Sequence, residues 1–170
     1  VYRIAPYQNI FENMADMKRI FQKNRYKVVH AYNSTMNLFP MAVAKYCGVP
    51  VRISESLSMA HESDRKTVLK KILRLMSKWF ANYYMSCGNE CGRWQFGDEF
   101  FDAGKVDVFK TVIDTEFNSY DPIVRKKTRK EFGWENSIVI GHIGRFTAQK
   151  NSIHMIEIFA AIAQKEPKAI

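Results

Sequence analysis

Two cations, Arg145 and Lys150, lie in a short polar segment between an apolar run and a stretch of helical periodicity. The run 138–143 is rich in β-branched residues, which predicts a strand covered on both faces of a parallel sheet. Gly144 ends the run, and a residue without a Cβ lets a backbone or a ligand approach closely. Apolar residues then recur at helical spacing, at Ile153, Ile156, Phe159, Ala160 and Ala163.

The cations therefore flank the predicted start of a helix, where Asn151 or Ser152 can cap the free N–H groups. The positive end of a helix favours an anion such as a phosphate, so the pattern suits a phosphate-binding turn. The alternative interpretation is that both cations are solvated charges of a surface loop.

A second group of polar residues follows two predicted strands nearer the start of the chain. His30 belongs to the strand 27–31, and Asn33 and Ser34 come directly after it, where they can also cap the next helix. In doubly wound sheets ligands bind beyond the carboxyl ends of the strands. Glu55 follows the strand 50–53. The alternatives are a hydrogen-bonded histidine at a strand end and a carboxylate of a surface loop.

The elements that must position these residues alternate along the chain. The predicted helices cover 11–23, 33–46, 66–80, 90–96 and 122–132. The predicted strands cover 27–31, 50–53, 82–87, 106–109, 111–113 and 138–143, with a loop at 54–65. Alternating helices and strands predict the α/β class, a Rossmann-like parallel sheet with helices on both faces.

Composition limits the classes of function. Hydrophobic residues make up 46% and charged residues 25% of the 170 residues, as in a folded globular chain. No apolar run approaches the ~20 residues that a membrane span needs. The start without Met and the end after a predicted helix suggest an excerpt of a longer protein. Three cysteines do not suggest a disulfide framework or a zinc site, which favours a reducing cytosol.

The net charge of +9 attracts anions, whether nucleic acid, acidic lipid headgroups or phosphorylated ligands. No zinc finger, RNP-type motif or helix-turn-helix is visible, so nucleic acid is not expected as a partner. A dinucleotide dehydrogenase is disfavoured because no G-x-G-x-x-G follows a predicted strand.

The segment Gly144-Arg145-Phe146, with Lys150-Asn151 four residues later, resembles the G-R-[LF]-x-x-x-K-N segment of glycosyltransferase family 4. Members of that family have the GT-B fold, in which two Rossmann-like domains face each other across a cleft. The resemblance implies that Arg145 and Lys150 bind the diphosphate of a nucleotide-sugar donor, with Gly144 and Asn151 in the same donor site. Arginine can fork onto two phosphate oxygens, whereas lysine acts as a point charge.

Three further segments resemble the family. Residues 26–33 are similar to its strand ending in H-A-H or H-x-N, which places Asn33 and Ser34 on the acceptor side of the cleft. Residues 48–56 are similar to the next strand, but Ser54, Glu55 and Ser56 stand where many members carry a histidine, and the nearest histidine is His61. By this resemblance Glu55 and His30 become the candidate catalytic residues. Residues 106–117 are similar to the approach to the interdomain linker, with Lys110, Thr111 and Val112 replacing the usual P-N-G.

The resemblance implies domains over 1–114 and 137–170, acceptor-side and donor-binding respectively, joined by a linker region over 115–136. It implies a retaining transferase that moves a sugar from a nucleotide-diphosphate sugar to a glycan or lipid-linked acceptor in surface polysaccharide synthesis. No metal and no cofactor beyond the donor are expected, and the isolated fragment should be inactive. Two alternatives stay open: another nucleotide-binding Rossmann-type domain, and a basic nucleic-acid-binding module.

The predicted helix 66–80 carries an apolar stripe beside several basic residues. The stripe comprises Val68, Leu69, Ile72, Leu73, Met76 and Phe80, and the basic residues are Lys66, Lys70, Lys71, Arg74 and Lys78, with Trp79 near the end. A basic amphipathic helix can lie on an anionic membrane, which suggests weak contact with the inner face of the cell membrane by a cytoplasmic protein. The alternative is that the stripe packs on the sheet and the lysines face water.

Overall fold

The computed structural model describes residues 1–59, 67–110 and 112–170, and only the backbone of Thr67 and Gln149. Its contacts divide the chain into two compact units, Val1–Val112 and Ile113–Ile170. The division falls near the predicted domain end at residue 114, and it groups residues 115–136 with the second unit.

The first unit is built on a four-stranded parallel sheet in the order β1-β2-β3-β4. Its strands are β1 Val28–Ala31, β2 Val51–Ser56, β3 Tyr83–Ser86 and β4 Asp107–Val108. Valine, isoleucine and tyrosine are frequent in the first three strands, as β-propensity requires. Every pair of neighbouring strands is parallel, so each connection crosses over from one end of the sheet to the other. The predicted class, a Rossmann-like parallel α/β sheet with helices, is confirmed.

Five α-helices of the first unit connect or precede these strands: α1 Ile10–Asn24, α2 Leu38–Tyr46, α3 Thr67–Met76, α4 Asn89–Phe96 and α5 Asp98–Asp102. A 3-10 helix, Ser34–Asn37, leads into α2, so the predicted helix from Asn33 begins with a tighter turn. The core lies mainly under α2 and α4, where Met41, Ala44 and Phe96 are almost completely buried. At Gly92 in α4 a Cβ would lie 2.7 Å from the ring of Phe101, so only glycine allows this approach to α5.

The sequence placed two boundaries of the first unit wrongly. β2 continues to Ser56, so residues 54–56 belong to a strand rather than to the predicted loop; the loop residues 60–65 lie outside the described residues. Hydrogen bonding to both β1 and β3 extends this central strand beyond its apolar residues. The helix α3 ends at Met76 rather than Phe80, and Lys66, its predicted start, lies outside the described residues.

The predicted strand pieces after α5 are reduced to the two residues of β4, because pairing with β3 stops there. Val112 and Ile113 form no strand, and Thr111 lies outside the described residues.

The second unit contains two α-helices, α6 Pro122–Glu131 and α7 Ser152–Lys165, and a 3-10 helix, Ala148–Lys150. Asp121 caps α6, its Oδ1 accepting hydrogen bonds from the N–H groups of Ile123 and Val124 at 2.7 and 3.0 Å. Gly133, with φ +69°, follows the end of α6, where a left-handed residue favours glycine.

The predicted strand 138–143 does not form as a regular strand. Within the described second unit its backbone pairs only with residues 168–170, through one parallel bridge between Ile138 and Ala169. The N–H of Ile140 donates to the carbonyl of Ile170 at 2.9 Å, but residues 141–143 donate no backbone hydrogen bond in the described chain. Partners on one side alone are too few to sustain a buried strand, and the side chains stay exposed, Ile143 fully.

None of the helices in the described part of the chain is both long and apolar enough to cross a membrane.

Candidate functional site

The sheet register brings His30 and Glu55 together. His30 pairs with Ile53 across the parallel strands, and Glu55 lies two residues further along, on the same face of the sheet. The side chains meet diagonally, with His30 Nε2 2.8 Å from Glu55 Oε2. The Glu55 side chain is only 11% exposed and that of His30 33% exposed, so the histidine is the more accessible partner. The interpretation of Glu55 as a carboxylate in a surface loop is therefore wrong.

This contact gives the two side chains distinct chemical roles. A carboxylate can only accept, so a neutral His30 carries its proton on Nε2 and leaves Nδ1 as an acceptor. Tyr32 packs edge-on against the His30 ring at a centroid distance of 4.9 Å, which restricts its rotation. Nδ1 has no hydrogen-bond partner among the described residues, and an oriented imidazole with such a nitrogen can take a proton from a hydroxyl that binds beside it.

Asn37 ties together the segments that carry the pair. Its Nδ2 donates to the carbonyl of Glu55 at 2.8 Å and to Ser54 Oγ at 3.1 Å, and its Oδ1 accepts from the N–H of Asn33 at 2.6 Å. The residue is completely buried. The sequence alone did not mark Asn37 as a functional residue. The available signal was one amide within an otherwise apolar stretch, Met36–Ala44.

Asn33 and Ser34 lie in the turn after β1, beside Asn37. Asn33 Nδ2 donates to the hydroxyl of Tyr7 at 3.1 Å, and Ser34 Oγ donates to the carbonyl of Ser58 at 3.1 Å. Ser34 has φ +52°, a left-handed conformation that is uncommon for serine. Neither residue makes the predicted side-chain cap. The structure therefore brings His30, Asn33 and Ser34 together with Glu55 at the carboxyl ends of β1 and β2.

In the second unit Arg145 and Lys150 lie on the turn before α7, as predicted. Both are exposed, and within the described chain neither side chain makes a hydrogen bond or an ion pair. Their charges are therefore not neutralised by a described carboxylate. Arg145 precedes the 3-10 helix and Lys150 ends it, so the two cations bracket one turn of backbone.

The start of α7 has no side-chain cap, contrary to the predicted role of Asn151 or Ser152. Asn151 occupies the cap position in a left-handed conformation, with φ +45°, and its side chain accepts no hydrogen bond from the helix. The first N–H groups of α7 therefore remain available to an anion. At Gly144 a Cβ would lie 2.9 Å from Nε2 of His142, so the glycine accommodates the histidine ring folded over it.

The three cysteines are free thiols. Burial, followed by a hydrogen bond with Cys87, raises the pKa of Cys91 to about 11. Burial also raises the pKa of Cys47. The thiolate is the nucleophile and metal ligand, so these two residues behave as small apolar side chains at neutral pH.

No protein-family model matches the chain. In sequence it is 24% identical over 156 residues to UDP-Gal:alpha-D-GlcNAc-diphosphoundecaprenol alpha-1,3-galactosyltransferase of Escherichia coli. It is also 24% identical over 152 residues to a Bacillus subtilis (strain 168) protein provisionally named glycosyltransferase EpsF. Each alignment covers 86% of this chain and 39% of the relative, so the chain spans about two-fifths of these relatives.

Among solved structures the chain is similar to Anabaena Alr3699/HepE. The complex of that protein with UDP-glucose aligns with a TM-score of 0.69 at 19% identity, over 99% of this chain and 44% of HepE. Its complex with UDP and glucose aligns with a TM-score of 0.66 at 20% identity, over 92% of this chain and 40% of HepE. At this identity the similarity shows the fold, which is the Rossmann-like α/β fold that the sequence predicts.

Proposed function

We propose that this chain belongs to a glycosyltransferase of the GT-B fold that uses a nucleotide-diphosphate sugar, with the second unit on the donor side. The observation that carries the proposal is the turn before α7, where two exposed cations without described partners flank an uncapped helix start. Such a turn suits a diphosphate, because cations and free N–H groups can both contact phosphate oxygens. The sequence relatives named as glycosyltransferases support the same class.

On the donor side, Arg145 and Lys150 would stabilise the negative charge that develops on the diphosphate as the bond to the sugar breaks. Gly144 and Asn151 lie at the two ends of the turn that carries Arg145 and Lys150. Uridine diphosphate is the natural probe, because HepE was solved with UDP-glucose and the Escherichia coli relative is named for UDP-Gal.

On the acceptor side, His30 would accept the proton of an attacking hydroxyl on Nδ1, held in orientation by Glu55 through Nε2. Asn33 and Ser34 would line the same end of the sheet and hydrogen-bond the acceptor. The proposed acceptor is a glycan or a lipid-linked sugar in surface polysaccharide synthesis. The name of the Escherichia coli relative, which includes diphosphoundecaprenol, supports the lipid-linked choice. We propose retention of anomeric configuration on the family resemblance, which requires the deprotonated hydroxyl to attack the anomeric carbon from the face that the diphosphate leaves.

The donor role is tested by calorimetry of the protein with uridine diphosphate. Arg145→Ala and Lys150→Ala should each weaken binding by roughly 1.5–3 kcal/mol, the contribution of one charge-assisted hydrogen bond. Lys165→Ala removes a cation from the opposite end of α7 and should leave the affinity unchanged. Equal affinity in the wild type and both turn variants would refute the assigned roles.

A further inference from the structure

The helix α3 exposes a row of large apolar side chains. Val68 is 71% exposed, Ile72 51% and Leu75 73%. They occupy one face of the helix because they are separated by four and three residues. Trp79, which is 61% exposed, continues the row four residues after Leu75. It lies just beyond the end of α3, and its N–H donates to the carbonyl of Met76 at 3.1 Å. We call these four residues the α3 ridge.

The α3 ridge differs from the apolar stripe that the sequence predicts. Leu73 is buried, and Met76 and Phe80 are half-buried, so these three residues face the protein. The helix therefore already packs against the protein through other apolar residues, and the ridge is a second apolar face that stays exposed. An amphipathic helix that only packs on a sheet would carry polar residues on the opposite face.

Cations lie along one side of the ridge. Lys71 is exposed and lies three residues from Val68 and four from Leu75, so it is a neighbour of both on the helix surface. Arg74 lies over the ring of Trp94 at 5.7 Å and Lys78 over the ring of Phe100 at 4.9 Å. The aromatic rings position these two cations without neutralising their charge.

A shallow groove lies between this side of α3 and α4. The α3 side of the groove is lined by the ridge residues Val68, Ile72 and Leu75 and by the cations Lys71, Arg74 and Lys78. The chain from Thr67 to Met85 contains no acidic residue. The surface thus offers an apolar edge for acyl chains and an adjacent row of positive charge for anionic headgroups.

We propose that the α3 ridge and its cations form a docking surface for an anionic lipid bilayer. Charge complementarity selects this partner, because the segment Thr67–Met85 carries only basic charges beside the ridge and an anionic bilayer presents negative headgroups beside acyl chains. The helix lies in the plane of the headgroups, with the ridge below them and Lys71, Arg74 and Lys78 at their level. This surface is independent of the proposed transferase activity.

The test is co-sedimentation of the protein with vesicles. Binding should occur with phosphatidylcholine mixed with phosphatidylglycerol, should weaken as salt is added and should be absent with phosphatidylcholine alone. Ile72→Ser together with Leu75→Ser should weaken binding at least about tenfold, because two apolar side chains no longer enter the bilayer. Lys71→Gln should weaken it about fivefold.

The helix α6 provides matched controls, since it is also basic and also exposes apolar residues. Lys126→Gln, and Ile123→Ser together with Val124→Ser, make the same changes in charge and apolarity there and should leave vesicle binding unchanged. Quenching of tryptophan fluorescence by brominated lipid should disappear in Trp79→Phe. The proposal is overturned if anionic vesicles are not bound, if neutral vesicles bind equally, or if the α3 and α6 variants lose binding alike.

Discussion

Asn37 satisfies several polar groups that are buried at the end of the sheet. It bonds the N–H of Asn33, the hydroxyl of Ser54 and the carbonyl of Glu55, while its own side chain is shielded from water. An apolar residue of similar size would leave these groups without partners. A buried polar group without a partner costs about 1–3 kcal/mol.

Asn37→Leu should therefore lower the free energy of unfolding by roughly 2–4 kcal/mol, measured by urea denaturation. Asn118→Leu removes an exposed amide that donates to the carbonyl of Asp114 and makes no other side-chain hydrogen bond within the described residues, so it should change stability little. Similar losses in the two variants would show that Asn37 has no special role.

The chemistry-bearing residues could be predicted from the sequence, but their contacts could not. Strand ends are visible in the apolar pattern, so His30, Asn33 and Ser34 could be assigned to one edge of a sheet. The bond between His30 and Glu55 could not be predicted, because it depends on the register of two strands and on the extension of β2 past Ile53. Asn37 was missed because two of its partners, Ser54 and Glu55, belong to a strand 17 and 18 residues further along the chain.

At the scale of the element, α4 packs Cys91 in a position that disfavours its thiolate. Its folded pKa of about 11 lies above the ordinary thiol value of 9.0. Below about pH 9 the Cys91 thiol is protonated in the folded and in the unfolded chain, so its titration does not change the free energy of unfolding. As the pH rises from about 9 to about 11 the unfolded chain releases this proton first, so folding is weakened.

We expect the free energy of unfolding to fall over this range by more in the wild type than in Cys91→Ala. Denaturation at a series of pH values measures the difference and cancels the titration of lysines and tyrosines common to both proteins. Parallel curves for the two proteins would contradict the raised pKa.

Helices were easier to predict than strands. The predicted helices 11–23, 90–96 and 122–132 agree with α1, α4 and α6 to within one residue at each end, because apolar spacing, Pro122 and nearby glycines mark them in the sequence. The run 138–143 has the composition of a buried strand, but composition does not supply hydrogen-bonding neighbours. In α3 the sequence merged two apolar faces into one stripe, since periodicity alone does not reveal which face meets the protein.

At the scale of the whole molecule, the two units differ in the number of backbone bonds that join distant segments. β2 is bonded on both sides, to β1 and to β3. In the second unit, Ile138, Ile140 and Ile170 donate the hydrogen bonds between the extended segments. Local opening should therefore cost less free energy there.

Hydrogen exchange followed by mass spectrometry should show this difference. Amides of β2 should exchange slowest, and those of 141–146, which donate no backbone hydrogen bond in the described chain, should exchange within the earliest time points. Protection of 141–146 equal to that of β2 would indicate a regular strand there after all.

The contact between His30 and Glu55 also depends on the correct register of β1 and β2. Side chains alternate between the faces of a strand, so a slip of one residue between β1 and β2 would move Glu55 to the opposite face from His30. No adjustment of side-chain rotamers could restore the bond across the sheet. Misfolded copies with shifted strands would therefore lack this pair even if they stayed compact, and the population able to react would be limited to correctly aligned molecules.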